Sequence, residues 1–358
     1  MLAVVPPRDP AFYNPLAEFK RDVMVSIVAS YASLTKDPIR FADSHTGIGA
    51  GGIRIANEIK KIDHVYINDL NLNSLELAKL SIKRNGVGNR CTISREEANI
   101  FLSNHSSKEN RLEFIDIDPF GSPCRYLDSA VRATRIGGII ALTATDGQVL
   151  CGGYPEVSLR KYGGYSLNTN YCHEIGIRLM LGSLCSASGR FDLGISPVFV
   201  HTEKHYSRIY ATLTDKPLNT NGKLGFISQC TSCIRRFVGP VMLLQCEDCG
   251  SKCRIAGPLW TGELFDSDII ERAIMKSQSK RLESILEIAR DEIGLPASYF
   301  ITDSISESLR ISPPPISKVI DELRKIGYNA SRTILNNNGF RTDADVSSIY
   351  DVFRQLKS

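Results

Sequence analysis

The run Asp118-Pro119-Phe120-Gly121-Ser122-Pro123 joins a carboxylate, a fixed backbone angle and an aromatic ring in three consecutive residues. An oxygen acceptor held rigid beside a flat ring suits a particular chemistry. It holds the hydrogens of an exocyclic amine conjugated into a purine, so that the poorly nucleophilic lone pair is aimed at an electrophilic methyl group. In this reading Asp118 is the acceptor, Pro119 stiffens the loop, and Phe120 is the surface on which an extruded base stacks. An Asp-Pro pair at a strand end is also a common turn starter. The run therefore gains its meaning only with a cofactor site beside it.

Such a site is legible upstream. Asp43-Ser44-His45-Thr46-Gly47-Ile48-Gly49-Ala50-Gly51-Gly52-Ile53-Arg54 is a glycine-rich turn opening a helix, where bare backbone comes close to a ligand. Glycine loops bind many nucleotides and some merely turn. The next strand ends in Asn68-Asp69, and a carboxylate there accepts two hydrogen bonds from a ribose diol. Asp69 as a helix N-cap is the bland reading, and it is compatible with the first. After the third strand, Glu96-Glu97-Ala98-Asn99 offers a carboxylate for an adenine amine and a backbone amide for ring nitrogens, or simply an exposed helix start. Asp43, Arg54, Asp69, Glu97 and Ala98 are thus candidate cofactor contacts, and the electrophilic methyl that the Asp118 loop calls for makes S-adenosylmethionine the expected cofactor.

The elements that must position these residues alternate. Strands are expected at Phe41–Asp43, His64–Asn68, Cys91–Ser94, Leu112–Ile117 and Gly138–Thr143, with helices at Ile53–Ile59, Ser74–Asn85 and Leu127–Thr134 between them. That alternation signifies a parallel sheet covered by helices on both faces. It brings the strand ends carrying Asp43, Asp69 and Asp118 to one carboxyl edge, where ligands of open α/β sheets bind. A long helix at Tyr171–Ser186 and two β-rich runs, Gly194–Val200 and Arg208–Leu213, joined by a polar turn at His201–Ser207, close the sheet with an antiparallel strand. This ending favours methyl transfer over hydride transfer, because a dinucleotide dehydrogenase adds a second βαβ half. The fold class is α/β: a doubly wound, mostly parallel seven-stranded class I methyltransferase sheet over residues 1–215, with a smaller α+β part after a Pro/Asn/Gly-rich linker at Lys216–Lys223.

In that smaller part Cys230-x2-Cys233-x12-Cys246-x2-Cys249 has the spacing of two zinc knuckles, so residues 224–262 read as a zinc ribbon with a closed structural site and Cys253 as a spare thiol. Residues 263–358 contain Asp303–Leu309, a Pro313–Pro315 turn, Ile316–Ile326 and Tyr328–Arg341, the order of a winged helix. The chain of 358 residues is 42% hydrophobic and 23% charged with a net charge of +4, the composition of an ordinary globular protein that charge alone does not commit to nucleic acid. No run reaches the roughly 18 apolar residues of a membrane span, and the amino terminus lacks a signal-peptide pattern. With metal-type cysteines this points to the reducing cytoplasm.

Phe12-Tyr13-Asn14-Pro15, Arg21-Asp22, Asp118 to Pro123, Ala144-Thr145-Asp146-Gly147, Leu159-Arg160-Lys161-Tyr162 and Cys172-His173-Glu174, in this order, resemble the tRNA guanine-26 N2-dimethyltransferases, in their archaeal form, over nearly the whole chain. The resemblance implies that Arg21, Asp69, Glu97 and Ala98 contact S-adenosylmethionine. Asp118 is then the catalytic carboxylate, Phe12 and Phe120 sandwich the base, and the carboxyl-terminal part helps hold tRNA. Two departures stand out: Gly49 occupies the first arginine position of the family's cofactor loop, leaving Arg54, and Lys20 stands where Asn is common.

His45 and His173 read as structural, since this transfer needs no imidazole. Trp260, Tyr162, Tyr165 and Tyr171 read as core aromatics before RNA-stacking ones, and Arg160 and Lys161 as phosphate contacts. Competing readings are the same chemistry on another guanine or an adenine N6, a nicotinamide oxidoreductase, and an RNA-binding protein with a decayed enzyme domain. The intact Asp118 loop disfavours the last two. No obligatory protein partner is evident.

Overall fold

The computed structural model describes residues 13–203, 205–277 and 279–356. Phe12 lies outside them. In the first half the elements run α1 Glu18–Leu34, β1 Ile39–Asp43, α2 Ala50–Glu58, β2 Ile62–Asn68, α3 Leu72–Asn85, β3 Cys91–Ser94, α4 Ala98–Asn104, β4 Leu112–Ile117, α5 Leu127–Ala133 and β5 Thr134–Ala144. They continue through α6 Gly147–Leu150, α7 Pro155–Tyr162, α8 Cys172–Gly189, β6 Gly194–Glu203 and β7 Tyr206–Thr214. These strands form one seven-stranded sheet in the order β3-β2-β1-β4-β5-β7-β6. The pairs from β3 to β5 are parallel, while β7 runs antiparallel to β5 and to β6. The expected ending is therefore present.

Every residue of β4 is buried, as a central parallel strand with helices on both faces requires. Local chemistry sets the helix ends. The side chain of Asn71 accepts the Asn73 and Ser74 N–H groups to start α3, and Gly86, at φ +67°, ends it. The hairpin departs from expectation. His201–Ser207 is not a turn: His201 pairs with Arg208, Thr202 with Ser207 and Glu203 with Tyr206. The reversal is confined to the tip because His201 is buried among the rings of Phe19, Phe199, Tyr206 and Tyr210, so a polar residue type there does not mean exposure.

Beyond the linker, β8 Leu224–Cys230, β9 Arg236–Gly239 and β10 Cys253–Trp260 make a three-stranded antiparallel sheet. Two helices follow, α9 Ser267–Lys276 and α10 Lys280–Asp291, which pack against α1 and share its apolar core through Ile269, Ile270, Leu282 and Leu286. Then come β11 Phe300–Ile301, α11 Thr302–Leu309, α12 Ile316–Lys325, β12 Ala330–Thr333, β13 Asn336–Thr342 and α13 Val346–Gln355, around a second core of Ile305, Val319, Ile320, Leu323, Phe340 and Phe353. Two helices followed by a β hairpin is the winged-helix order read from the sequence. Among the described residues no helix is long and apolar enough to cross a membrane.

Candidate active site

The loop after β1 is built around a buried carboxylate. Asp43 Oδ2 accepts the Thr46 hydroxyl at 2.9 Å and the Gly52 N–H at 3.1 Å, which curls the chain into α2. Gly49 sits at φ +81°, a left-handed conformation that side chains rarely adopt, and a Cβ there would also push on Ile53 Cδ1 at 2.6 Å. Asp69, at the end of β2, reaches back to the same loop: its Oδ2 accepts the Gly47 N–H at 2.8 Å and its Oδ1 the Asn71 N–H at 2.9 Å. Glu97 caps α4 by accepting the Asn99 and Ile100 N–H groups. Each of these oxygens retains lone-pair capacity toward a ligand.

The loop after β4 carries Asp118, Pro119 and Phe120. It is clasped to the end of β5, with the Gly121 N–H donating to Thr145 Oγ1 at 2.7 Å and the Thr145 N–H to the Gly121 carbonyl at 2.9 Å. Lys20 of α1 pairs with Asp118. Beneath it Asp116 is held by Arg208 of β7 at 2.8 Å, and Arg208 also donates to Tyr210 Oη at 2.7 Å and to Thr143 Oγ1. Three carboxylates therefore face two cations. Burial opposes ionisation of all three, but the Lys20 ammonium and the Arg208 guanidinium keep Asp118 below the ordinary carboxylate range. Asp43 carries most of the opposite displacement: burial and the nearby Asp116 push it up to about 7, against the hydrogen bonds from Thr46 and Gly52. Burial likewise raises Asp116, with Arg208 countering.

These groups open onto one cavity of about 380 Å³, lined by Asp43, Asp69, Glu97, Ala98, Asp118, Pro119 and Phe120, with Arg21 at the amino-terminal side. Arg21 stacks over Tyr13 at 5.4 Å and donates to the Asn14 carbonyl. Phe120, also in the lining, is 78% exposed. One expected contact is not brought here. Arg54 lies outside the cavity lining, its guanidinium taken up by Asp22 at 2.6 Å and Glu58 at 2.7 Å, because its place on α2 turns it toward α1.

Sequence reasoning missed Lys20, Asp116, Thr143, Tyr206 and Arg208, all of which line the cavity. The arginine inside an otherwise apolar strand, Arg208-Ile209-Tyr210-Ala211, was the available signal, since a charge in a buried strand needs a partner. Lys20 had none. Lys161 pairs with Asp146 at 3.1 Å, and Trp260 is buried with its Nε1 donating to the Glu263 carbonyl at 2.8 Å.

In the ribbon, the sulfurs of Cys230, Cys233, Cys246 and Cys249 lie within 4.8 Å of one another. The separations are 3.4 Å for Cys230 to Cys249, 3.8 Å for Cys233 to Cys246 and 3.9 Å for Cys249 to Cys233. A tetrahedron with zinc–sulfur bonds of about 2.3 Å has edges of about 3.8 Å. The Ser232 and Cys233 N–H groups, which point at Cys230 Sγ, supply the usual support of a thiolate ligand. The four cysteines fit zinc.

The same chain is similar to known proteins along almost all of its length. Over 98% of its length it is 35% identical to a tRNA (guanine(26)-N(2))-dimethyltransferase of Methanothermobacter thermautotrophicus, of which the match covers 94%, and over 97% it is 32% identical to the enzyme of that description from Methanosphaera stadtmanae, covering 92%. Among solved structures, Trm1 from Pyrococcus horikoshii in complex with S-adenosyl-L-methionine superimposes with a TM-score of 0.87 at 28% identity, over 98% of this chain and 96% of that one. The family profile for N2,N2-dimethylguanosine tRNA methyltransferases matches residues 2–354. A sheet ending in an antiparallel strand, a glycine loop at its carboxyl edge and an acidic-Pro-aromatic loop beside it thus occur in a chain that belongs to the N2,N2-dimethylguanosine tRNA methyltransferase family.

Proposed function

We propose that this protein transfers methyl groups from S-adenosylmethionine to the exocyclic N2 of guanine 26 in tRNA, with Asp118 as the catalytic carboxylate. The observation that carries the residue assignment is the convergence of Asp118, Asp69, Glu97 and Phe120 on one cavity at the carboxyl edge of the sheet. The donor supplies an electrophilic methyl on a sulfonium centre. A cavity wall carrying Asp43, Asp69, Glu97, Asp116 and Asp118 against Lys20, Arg21 and Arg208 suits a cationic ligand of that kind.

Within this reading Asp69 takes the ribose hydroxyls, Glu97 and the Ala98 amide take the adenine edge, Arg21 closes the amino-terminal side, and Asp43 shapes the loop that receives the methionine part. Asp118 accepts an amine hydrogen of the guanine and turns the nitrogen lone pair toward the methyl. Pro119 fixes the acceptor's reach, and Phe120, with Phe12 opposite, holds the extruded base flat. Asp118 is 26% exposed, so the proton it takes has a path to water, and the same acceptor serves a second round on the singly methylated amine.

The further assignments follow from the same reading: residues 1–215 are the methyltransferase unit, 224–262 the zinc-supported ribbon, and 263–358 the part that contacts tRNA, in a cytoplasmic enzyme. The test is transfer of labelled methyl to an unmodified tRNA transcript, to the same transcript with adenine at position 26, and by Asp118→Ala protein. Removing a positioned acceptor lowers kcat by about 10² to 10⁴. Methylation that persists on the adenine transcript, or an Asp118→Ala protein of undiminished rate, refutes the assignment.

A further inference from the structure

A second group of soft donors stands apart from the ribbon and from the catalytic cavity. Cys151, the C-cap of α6, and Cys172 and His173, the first two residues of α8, place two sulfurs and an imidazole nitrogen within 4.8 Å of one another. Cys151 Sγ lies 3.7 Å from His173 Nδ1. In a tetrahedral zinc site with bonds of about 2.3 Å to sulfur and about 2.0–2.1 Å to nitrogen, a sulfur–nitrogen edge measures about 3.6 Å. The spacing is that of ligands around one ion.

The scaffold fixes this spacing tightly. Helices α6 and α8 touch where a Cβ on Gly176 would come within 3.0 Å of Leu150 Cβ, so the residue after Leu150 is delivered to the start of α8. Gly152, at φ +84°, presses against the segment leading into α8, where a Cβ would overlap the Asn168 nitrogen at 2.0 Å. Two glycines therefore permit the approach that brings Cys151 to Cys172 and His173, and larger residues at either would separate them. Both cysteines are free thiols, and all three side chains are half-buried, within reach of solvent.

We infer that Cys151, Cys172 and His173 form a second transition-metal site, with two thiolates and one imidazole, taking a divalent ion of the zinc class. Binding releases two thiol protons to solvent and uses His173 through Nδ1. Three protein ligands leave a fourth position for water or an outside donor, unlike the closed four-thiolate site of the ribbon. Its consequence for the enzyme is mechanical. The ion would pin α6 to α8 just beyond Thr145 and Asp146, and Thr145 is the residue that clasps Gly121 of the Asp118 loop. Neither the Asp118 assignment nor the ribbon zinc is needed for this site.

The experiment is metal stoichiometry on the full-length protein. Wild type, Cys151→Ser, His173→Asn and Cys230→Ser proteins are stripped with chelator under reducing conditions, refilled with Zn2+ alone, and measured by mass-spectrometric metal analysis; Co2+ replaces Zn2+ in a parallel optical titration. Two ions in wild type, falling to one in Cys151→Ser and in His173→Asn with the four-thiolate cobalt band intact, support the site. One ion in wild type, unchanged in Cys151→Ser, overturns it. So does loss of a second ion only with Cys230→Ser, or a Cys151–Cys172 disulfide recovered from protein that never takes up a second ion. Because His173→Asn leaves both thiols in place, it keeps the test decisive should Cys151→Ser misfold.

Discussion

Lys20, in the first turn of α1, lays its ammonium on the carboxylate of Asp118, 98 residues further along the chain, and beside the ring of Tyr206 at 5.6 Å. This contact ties the amino-terminal helix to the Asp118 loop. It is also the principal reason that Asp118 stays below the ordinary carboxylate range in surroundings that otherwise favour protonation. Lys20→Met leaves only Arg208 and the Thr143 hydrogen bond against burial, so ionisation of Asp118 then requires a higher pH. The acid limb of the kcat/KM profile for methyl incorporation is expected to move upward in pH, with the plateau at alkaline pH least affected. An acid limb that stays in place would show that Lys20 does not set the charge of Asp118.

Asp43 has the opposite sign. Its native carboxyl is pushed up to about 7 from an ordinary value near 3.8. Around pH 5 the folded protein therefore holds a proton that the unfolded chain has largely released. The stability linked to this group is fully present below about pH 4 and is lost as pH rises through about 7. Asp43→Asn keeps an oxygen acceptor for Thr46 and Gly52 but cannot titrate. Denaturant midpoints measured from about pH 5 to 8 should fall for wild type relative to the variant. Parallel curves would mean that Asp43 is ionised throughout.

How much of this was legible from the residues differs by mechanism. Local signals carried the sheet: alternating apolar runs, the Gly47 to Gly52 turn and the Asp118-Pro119 stop are written within a few residues of where they act. The cysteine knuckles were equally plain, since their spacing is the geometry. Contacts across the fold were not. Lys20 meets Asp118 and Arg208 meets Asp116 only because α1 and β7 fold back onto the sheet, and sequence distance hides that. His201 misled because a polar residue type was read as a turn, whereas four neighbouring rings bury it. Arg54 misled because proximity to the loop in sequence says nothing of which way its helix faces.

Arg208 and Asp116 form a pair with side chains 0% and 8% exposed. Breaking one partner leaves an uncompensated charge, so Arg208→Met should lower unfolding free energy by ~3–5 kcal/mol. Part of that loss should return in Arg208→Met combined with Asp116→Asn, because the second change removes the orphaned carboxylate. Chemical denaturation of the two singles and the double closes the cycle. Strict additivity of the two losses would mean that the groups are not energetically coupled.

The ribbon makes a separable prediction, because its two ends are held differently. Cys230 and Cys253 face each other at the knuckle end of the β8–β10 ladder, whereas Leu259 and Trp260 at its other end are buried in the main core. Close packing accounts for the anchorage, since a Cβ on Gly182 of α8 would lie 3.2 Å from the Leu259 backbone. A structural zinc contributes its binding free energy to folding. Cys230→Ser, or chelation, should then loosen residues 230–253 while leaving the glycine loop at 43–52 in place. Hydrogen exchange should lose protection in the first segment and keep it in the second. S-adenosylmethionine affinity should be preserved, and tRNA affinity and thermal midpoint should fall. Equal losses of cofactor and tRNA affinity would mean that the metal supports the whole protein rather than a tRNA-facing module.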